Sequence, residues 1–315
     1  MRQVLSGLPV CAVGRQEPGR GAGQLDGRRR GRGVTLKPRP IGAGVKRSSP
    51  LTDQSILICG CGNMGGAMLA GWLRAGLDPE RFTVVDPVLP EVPAGVRLLR
   101  EIPSKRFDFV LLGIKPQALD QVAPALAPAS AGAVLLSILA GAEIASLAAR
   151  FPQTSGLVRV MPNLAAAIGK SPMGIYAAGL DNAAKVQVEA LLAPLGTAEW
   201  LASEGQLDAV TALAGSGPAF IYRIIDALGN AGAELDLDPD QARRLALAMV
   251  EGAAILAAST DLPPEELARR VTSPGGTTAA GLAVLDHDQA LARLISATLR
   301  AARDRGAEMA AEARQ

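Results

Sequence analysis

The chain has 315 residues, of which 49% are hydrophobic and 3% aromatic, and its formal net charge is +2. This length predicts about two domains, and no apolar run approaches the roughly 18 residues of a membrane span, so no membrane association is expected. Three cysteines, Cys11, Cys59 and Cys61, cannot frame a disulfide scaffold and indicate a reducing compartment, here the cytoplasm. Since His287 is the only histidine, no metal site is expected at the C-x-C pair.

Basic residues are concentrated at the start of the chain. Residues 1–50 hold eleven Lys or Arg against two acidic residues, whereas the remainder holds twenty-one against twenty-eight. The segment is rich in Gly, Pro and Arg without periodicity, so residues 1–52 are expected to form a disordered extension. A nucleic-acid arm and a transit peptide are alternatives, but a dispensable extension is favoured and no nucleic-acid partner is expected.

A short strand pattern at 56–58 runs into three glycines spaced G-x-G-x-x-G, and a helical pattern follows to Gly76. Such glycines permit a tight turn, close approach of a pyrophosphate and close packing of strand on helix, while the helix N-terminus presents N–H groups to the phosphates. A structural turn is the alternative, and the flanking strand and helix favour a dinucleotide site. The predicted site residues are Gly60, Gly62, Asn63, Met64 and Gly65.

A second strand pattern at 81–86 ends in Asp86. In a dinucleotide fold this acid binds the ribose 2′-OH, which favours NADH over NADPH, and no Arg follows within several residues to take a phosphate. The alternative is a turn-forming aspartate before Pro87.

Strand and helix patterns then alternate to about residue 200, which predicts a Rossmann-type, doubly wound parallel sheet over residues 53–202. The carboxyl ends of parallel strands meet at the ligand-binding edge, so the residues that follow the strands are expected to line one crevice with the glycine turn. These residues are Ile114, Lys115, Pro116, Ala140, Gly141 and Asn163. A solvated loop lysine is the alternative for Lys115.

Helical periodicity replaces strand patterns from about Ser203, which predicts an all-α domain over residues 203–315. Its apolar stripes indicate a homodimer formed by helix packing, or else internal core. Between two helical blocks lies Ser273-Pro-Gly-Gly-Thr-Thr278, which places backbone N–H groups and hydroxyls at a helix start. This pattern predicts an anion site suited to a carboxylate, and a capped turn is the alternative.

Five blocks in register resemble the pyrroline-5-carboxylate reductase family. They are Gly60-x-Gly-Asn-Met-Gly65, Lys115-Pro116 with Ala140-Gly141, Arg159-x-Met-Pro-Asn163, Asp208-Ala-Val-Thr-Ala-Leu-x-Gly-Ser-Gly-Pro-Ala219, and Ser273-Pro-Gly-Gly-x-Thr278 with Gly281-Leu282. They span about residues 54–305. The resemblance implies a nucleotide domain followed by a helical dimerisation domain, with dimers assembled into larger rings.

The resemblance also implies the reaction, which is hydride transfer from NAD(P)H to the C=N bond of 1-pyrroline-5-carboxylate to give L-proline, the last step of proline biosynthesis. Thr278 would donate a hydrogen bond to the ring nitrogen, while Ser273, Pro274, Gly275, Gly276 and Thr277 would hold the carboxylate. Asn163 and Ala140 would help to place the nicotinamide, with Lys115 near the cofactor. Family habit favours NADPH, whereas Asp86 favours NADH.

Two departures from the family pattern concern the site. Leu164-Ala165 replace the usual Thr-Pro after Asn163, and Asp261 stands where a Glu near the substrate is usual. A hydroxyacid dehydrogenase is an alternative, but it would need a Lys on the helix after Gly217, which carries Arg223 instead. A nucleotide-sensing paralogue without turnover is the other alternative, and retention of the Ser273–Thr278 residues argues against it.

Overall fold

The computed structural model describes residues 53–312, apart from the side chains of residues 309, 310 and 312. The extension predicted for residues 1–52 lies outside the described residues. The strands are β1 (Ile56–Cys59), β2 (Phe82–Val85), β3 (Arg97–Leu99), β4 (Phe109–Leu112), β5 (Val134–Ser137), β6 (Gly156–Met161), β7 (Ser171–Ala178) and β8 (Gly196–Trp200). The helices are α1 (Asn63–Arg74), α2 (Leu119–Ala129), α3 (Ile144–Arg150), α4 (Asn182–Leu192), α5 (Gln206–Val210), α6 (Gly217–Glu234), α7 (Pro239–Ala258), α8 (Pro264–Arg270), α9 (Thr277–Asp286) and α10 (Ala290–Glu312).

The eight strands form one sheet in the order β3-β2-β1-β4-β5-β6-β7-β8. The first six are parallel, and β1 lies between β2 and β4, where the chain changes direction across the sheet. This is the arrangement in which a dinucleotide binds at the carboxyl ends of the central strands. The Rossmann-type prediction is therefore confirmed.

The sheet departs from an all-parallel arrangement at one edge, because β7 is antiparallel to β6 and β8 is parallel to β7. Neither β7 nor the short strand β3 was predicted from the sequence. Pro172 and Gly174 give β7 the composition of a turn, but the pairing with β6 begins only at Gly174, so the missing N–H of Pro172 costs no bond to that strand.

The strands bury side chains on both faces, as parallel strands covered by helices do. Ile56 and Ile58 pack with α1 and α4 on one face, whereas Leu57 and Cys59 pack with α2 and α3 on the other. Trp72 of α1 is fully buried, and its indole N–H donates to the carbonyl oxygen of Leu191 at 2.7 Å. These contacts hold α1 against β1 and α4.

The last strand ends at Trp200, and every element from Gln206 to the end of the described chain is helical. The helices α6 and α7 pack against each other. Asp238 is the N-cap of α7, and its carboxylate accepts the N–H of Gln241 at 2.9 Å. The boundary between residues 202 and 203 stays a prediction. Among residues 53–312, no helix is both long and apolar enough to span a bilayer.

Candidate active site

The glycine turn is held by contacts that exclude side chains. Gly60 has φ +86°, its N–H donates to the Val85 carbonyl at 2.9 Å, and an added Cβ would lie 2.8 Å from the backbone of Gly113 and Ile114. A Cβ on Gly65 would lie 2.7 Å from the Gly60 oxygen. These two positions therefore require glycine to bring β1, β4 and α1 together.

By contrast, the middle glycine of the turn faces open space. Nothing lies within 4 Å of a Cβ built on Gly62, the residue that precedes α1. Among the described residues, the backbone N–H groups of Gly62, Asn63, Met64 and Gly65 have no hydrogen-bond partner. Unpaired N–H groups at the positive end of a 12-residue helix, with room in front of them, fit a pyrophosphate.

Asp86 follows β2 and lies beside this turn, with 8% of its surface exposed. Its Oδ2 accepts the N–H of Cys61 at 3.0 Å, and its Oδ1 accepts the N–H groups of Val88 and Leu89 at 3.0 and 2.9 Å. Burial opposes ionisation, but these three bonds and the nearby Arg100 outweigh it and lower the pKa of Asp86. Through these bonds the carboxylate holds both the glycine turn and the loop that follows β2.

The thiols of Cys59, at the end of β1, and Cys61, in the glycine turn, are held neutral. Burial, reinforced by the negative charge of Asp86, raises the pKa values of Cys59 and Cys61 to about 11 each. Since the thiolate is the reactive form, both cysteines serve as small apolar side chains here.

A cleft of about 620 Å³ opens beside the turn, at the carboxyl ends of β1, β2 and β4. Gly60, Val85 and Ile114 line it, and of these Gly60 and Ile114 are predicted cofactor residues. Arg100 and Glu101, which follow β3, also line this cleft and were not predicted. Because β3 was not recognised in the sequence, nothing indicated that the residues after it reach the same edge.

Asn163 follows β6, is 5% exposed and makes hydrogen bonds through its backbone and both side-chain polar atoms. Its backbone N–H donates to the Ser171 hydroxyl at 2.9 Å, and Oδ1 accepts the N–H of Ala165 at 2.9 Å. The amide Nδ2 donates to the carbonyl oxygen of Ala214 at 2.8 Å. One N–H of this amide remains for a ligand, and the predicted nicotinamide contact stays a prediction.

The bond from Asn163 joins the sheet to the helical region at a carbonyl group that lacks its usual helical donor. Ala214 lies in a π-helical segment, Thr211–Gly215, just before α6. In an α-helix the carbonyl of Ala214 would accept from the residue four places later, but that residue is Pro218, which has no N–H. Asn163 supplies the missing donor.

A second cleft of about 310 Å³ lies between the sheet and the helices and is lined by Gly141, Glu143, Arg159, Glu204 and Asp208, among others. Arg159 is buried and its Nη1 lies 2.8 Å from Oε1 of Glu204. The same oxygen accepts the N–H of Ile144 at 2.7 Å. Gly141, a predicted cofactor residue, lines the same cleft as this ion pair.

The remaining predicted residues are exposed, apart from Pro116 and Gly276, which are half-buried. Lys115 and Ala140 follow β4 and β5 at the sheet edge, and Pro116 begins a short 3₁₀ turn. In the helical region, the side chains of Ser273 and Thr278 are exposed, and Asp261 is exposed between α7 and α8.

The turn that precedes α9 depends on its glycines. Gly275 has φ +69°, and a Cβ on Gly276 would collide with the Ser273 hydroxyl. The main packing partners of α9 are α10 and the turn at 287–289, all within the helical region. A single chain therefore leaves this turn open to solvent.

Two family models match the chain. Residues 204–309 match the family described as "Pyrroline-5-carboxylate reductase dimerisation". Residues 55–141 match the family described as "NADP oxidoreductase coenzyme F420-dependent". The two matches fall on the helical region and on the glycine-turn half of the sheet.

Relatives and solved structures agree with these matches. Pyrroline-5-carboxylate reductase of Pseudomonas aeruginosa is 37% identical over 269 residues, which cover 82% of this chain and 98% of that protein. Pyrroline-5-carboxylate reductase 2 of Bacillus subtilis is 35% identical, with 73% of this chain and 86% of that protein covered.

The Coxiella burnetii pyrroline-5-carboxylate reductase structure is 30% identical with a TM-score of 0.76, covering 81% of this chain and 98% of that chain. The Plasmodium falciparum pyrroline carboxylate reductase structure, with NADP bound, shares the fold at 23% identity and a TM-score of 0.71, covering 82% and 99%. The chain thus belongs to the pyrroline-5-carboxylate reductase family.

Proposed function

We propose that this chain reduces 1-pyrroline-5-carboxylate to L-proline with NADPH or NADH. The observation that carries the proposal is the start of α1, where unpaired N–H groups face open space at the switch point of the sheet. In a family whose named activity is reduction of this cyclic imine, such a turn is expected to bind the pyrophosphate of the dinucleotide that donates the hydride. When bound there, the reduced nicotinamide supplies the hydride.

The residues of the chain need only bind and orient the substrate. A cyclic imine can bind already protonated, so no side chain has to deliver a full proton. The sequence is consistent with this, because residues 186–315 contain no Lys and a single histidine, His287, which is exposed. We assign to Thr278 a hydrogen bond to the ring nitrogen.

The turn before α9 is assigned to the substrate carboxylate. The hydroxyl of Ser273 and the N–H groups near Gly276 and Thr277 lie at the start of a 10-residue helix, where the helix dipole favours an anion. Asp261 is placed nearby as a contributor to the same site. The sheet-edge residues Lys115, Ala140 and Asn163 are assigned to the cofactor side.

A homodimer completes the proposal, because the turn that holds the substrate is exposed in one chain. A second copy would exclude water from that turn, and dimers would assemble into a larger ring. Cysteine usage is consistent with action in the cytoplasm.

The direct test is the oxidation of NADPH and NADH at 340 nm by the purified chain with pyrroline-5-carboxylate. Thr278→Ala should lower kcat/KM by about tenfold or more, the value of one hydrogen bond to a charged group. Thr278→Ser keeps the hydroxyl and should retain most of the rate. Unchanged turnover in Thr278→Ala would remove this residue from the reaction, and nucleotide binding without turnover by the unmodified chain would contradict the proposed activity.

A further inference from the structure

We propose that Arg100 is a specificity-determining residue that binds the 2′-phosphate of NADPH, so that this chain prefers NADPH although Asp86 ends β2. The inference rests on the proposed function, since it assigns the adenosine end of the same nucleotide to the cleft beside the glycine turn. It resolves the opposition between the acid at the end of β2, which favours NADH, and the cofactor habit of the family.

The first step is that the Asp86 carboxylate is already committed to the protein. It accepts three backbone N–H groups, from Cys61, Val88 and Leu89, and only 8% of the residue is exposed. A carboxylate that selects NADH presents its oxygens to the ribose hydroxyls. Here the oxygens are turned to the two loops that they organise, so Asp86 is a loop-forming residue.

The second step is that Arg100 is held at the same loop with donors to spare. Its Nη1 donates to the carbonyl oxygens of Asp86 and Leu89, at 2.8 and 2.6 Å. A guanidinium has five N–H groups, and these two bonds use those on Nη1. Among the described residues, Nε and Nη2 of Arg100 have no hydrogen-bond partner. The guanidinium is therefore fixed in place while one edge remains available to a phosphate.

The third step is the charge of the cleft. Arg100 is the only cationic side chain among the described residues that line it, and Glu101 is the only acidic one. The remaining walls are largely apolar, with Ile102, Ile114 and Val122 forming surface suited to an adenine ring. A ribose 2′-phosphate beside the base would meet the free edge of Arg100, whereas a ribose with a free 2′-OH would offer this cation no opposite charge.

Equilibrium binding to the full-length chain tests the assignment without turnover. Dissociation constants for NADPH and NADH would be measured by isothermal titration calorimetry for the unmodified chain, Arg100→Gln and Arg97→Gln. Arg97 is a matched control, because it is an exposed arginine three residues earlier that does not line the cleft. Arg100→Gln should weaken NADPH binding about 10- to 100-fold, the range for a charge-assisted bond, and NADH binding less than threefold. Arg97→Gln should change neither by more than about twofold.

Since Arg100 also holds the loop, the unmodified chain provides a second readout. It should bind 2′,5′-ADP at least tenfold more tightly than 5′-AMP, and this advantage should shrink as salt is raised. Equal loss of NADPH and NADH in Arg100→Gln, or no advantage of 2′,5′-ADP, would overturn the assignment while leaving the proposed reductase intact. Binding of neither dinucleotide to the unmodified chain would overturn both.

Discussion

The sheet and the helical region prepare their site residues in opposite ways. At the sheet edge, Asp86 and Asn163 are buried and their side chains are held by hydrogen bonds to backbone groups. At the turn before α9, Ser273 and Thr278 are exposed and packed only by neighbouring helices. A single chain thus organises the proposed nucleotide half of the site in advance, whereas the proposed substrate half has no cover of its own.

The difference extends to the apolar surface. Several large side chains of the helical region are more than half exposed, namely Leu213, Tyr222, Leu245, Leu247, Met249, Val284 and Leu294. Monomeric proteins rarely expose so many apolar side chains in one region. The helical half thus has an apolar surface suited to packing on a second chain, in agreement with the dimerisation family that it matches.

If the helical region forms the dimer interface, it should tolerate added surface charge less well than the sheet region does. Leu247→Glu on α7 should raise the dimer dissociation constant more than 100-fold, because an unpaired charge would be buried on association. Val186→Glu on α4 is the matched control, since Val186 is 55% exposed and Leu247 56%. Unlike α7, helix α4 packs on the sheet. Sedimentation velocity and kcat/KM at nanomolar protein would measure both. An unchanged dimer in Leu247→Glu, or equal dissociation in Val186→Glu, would contradict the assignment of the interface to the helices.

Two glycines of the same turn should affect different properties when they are replaced, Gly60 the stability of the fold and Gly62 the binding of the dinucleotide. Gly60→Ala should lower the free energy of unfolding by about 2–4 kcal/mol, because its φ is positive and the new methyl would press on the backbone of Gly113. The free energy of unfolding of Gly62→Ala should lie within about 0.5 kcal/mol of that of the unmodified chain, since nothing lies near a Cβ at this position.

Gly62→Ala should nevertheless weaken dinucleotide binding about tenfold or more, because the methyl group enters the space through which a pyrophosphate approaches. Denaturant titration and calorimetric binding measure the two properties. The prediction is wrong if Gly62→Ala loses stability as Gly60→Ala does, or if its nucleotide affinity is unchanged.

The parts of the site that the sequence predicts are those in which one local segment carries the whole constraint. The spacing of Gly60, Gly62 and Gly65 predicts a turn whose strand and helix are adjacent in the chain, and each family block is likewise one continuous segment. Arg100 could not be predicted, because it reaches the cleft only through the pairing of β3 with β2.

The bond from Asn163 to Ala214 was equally hidden, since it joins residues 51 positions apart. Its one local signal is Pro218, which removes the N–H that the Ala214 carbonyl would otherwise accept. Arg100 and the Asn163–Ala214 bond were not predicted because the first depends on pairing between strands and the second on the hydrogen bonding of one backbone carbonyl.

That bond gives a smaller test of how the two regions are joined. Asn163→Asp keeps an oxygen to accept the Ala165 N–H but cannot donate to Ala214 at neutral pH, so it should cost about 1–3 kcal/mol of unfolding free energy. Pro218→Ala in the same background restores a backbone N–H four residues after Ala214 and should recover part of the loss. A double-mutant cycle by urea denaturation measures the coupling between the two positions. Strictly additive effects would show that Pro218 is not the reason for this bond.

The smallest expected effect concerns pH and again contrasts a buried group with an exposed one. The folded chain lowers the pKa of Asp86, so its stabilising contribution is present above the unfolded value of about 3.9 and is lost as the pH falls through the folded value. The difference in unfolding free energy between the unmodified chain and Asp86→Asn should therefore be constant near neutrality and shrink below about pH 4.

Asp120 provides the exposed comparison, because the hydrogen bond and charge of Arg150 also lower its pKa. Its contribution should vanish in 1 M salt as well as in acid, since exposed charges are screened, whereas the backbone bonds of Asp86 should persist in salt. Urea denaturation of both Asn variants between pH 3 and 7, with and without salt, measures the contrast. A contribution of Asp86 that disappears with salt would mean that the charge of Arg100, rather than the three backbone N–H groups, stabilises the carboxylate, and the loop would then be organised by that arginine alone.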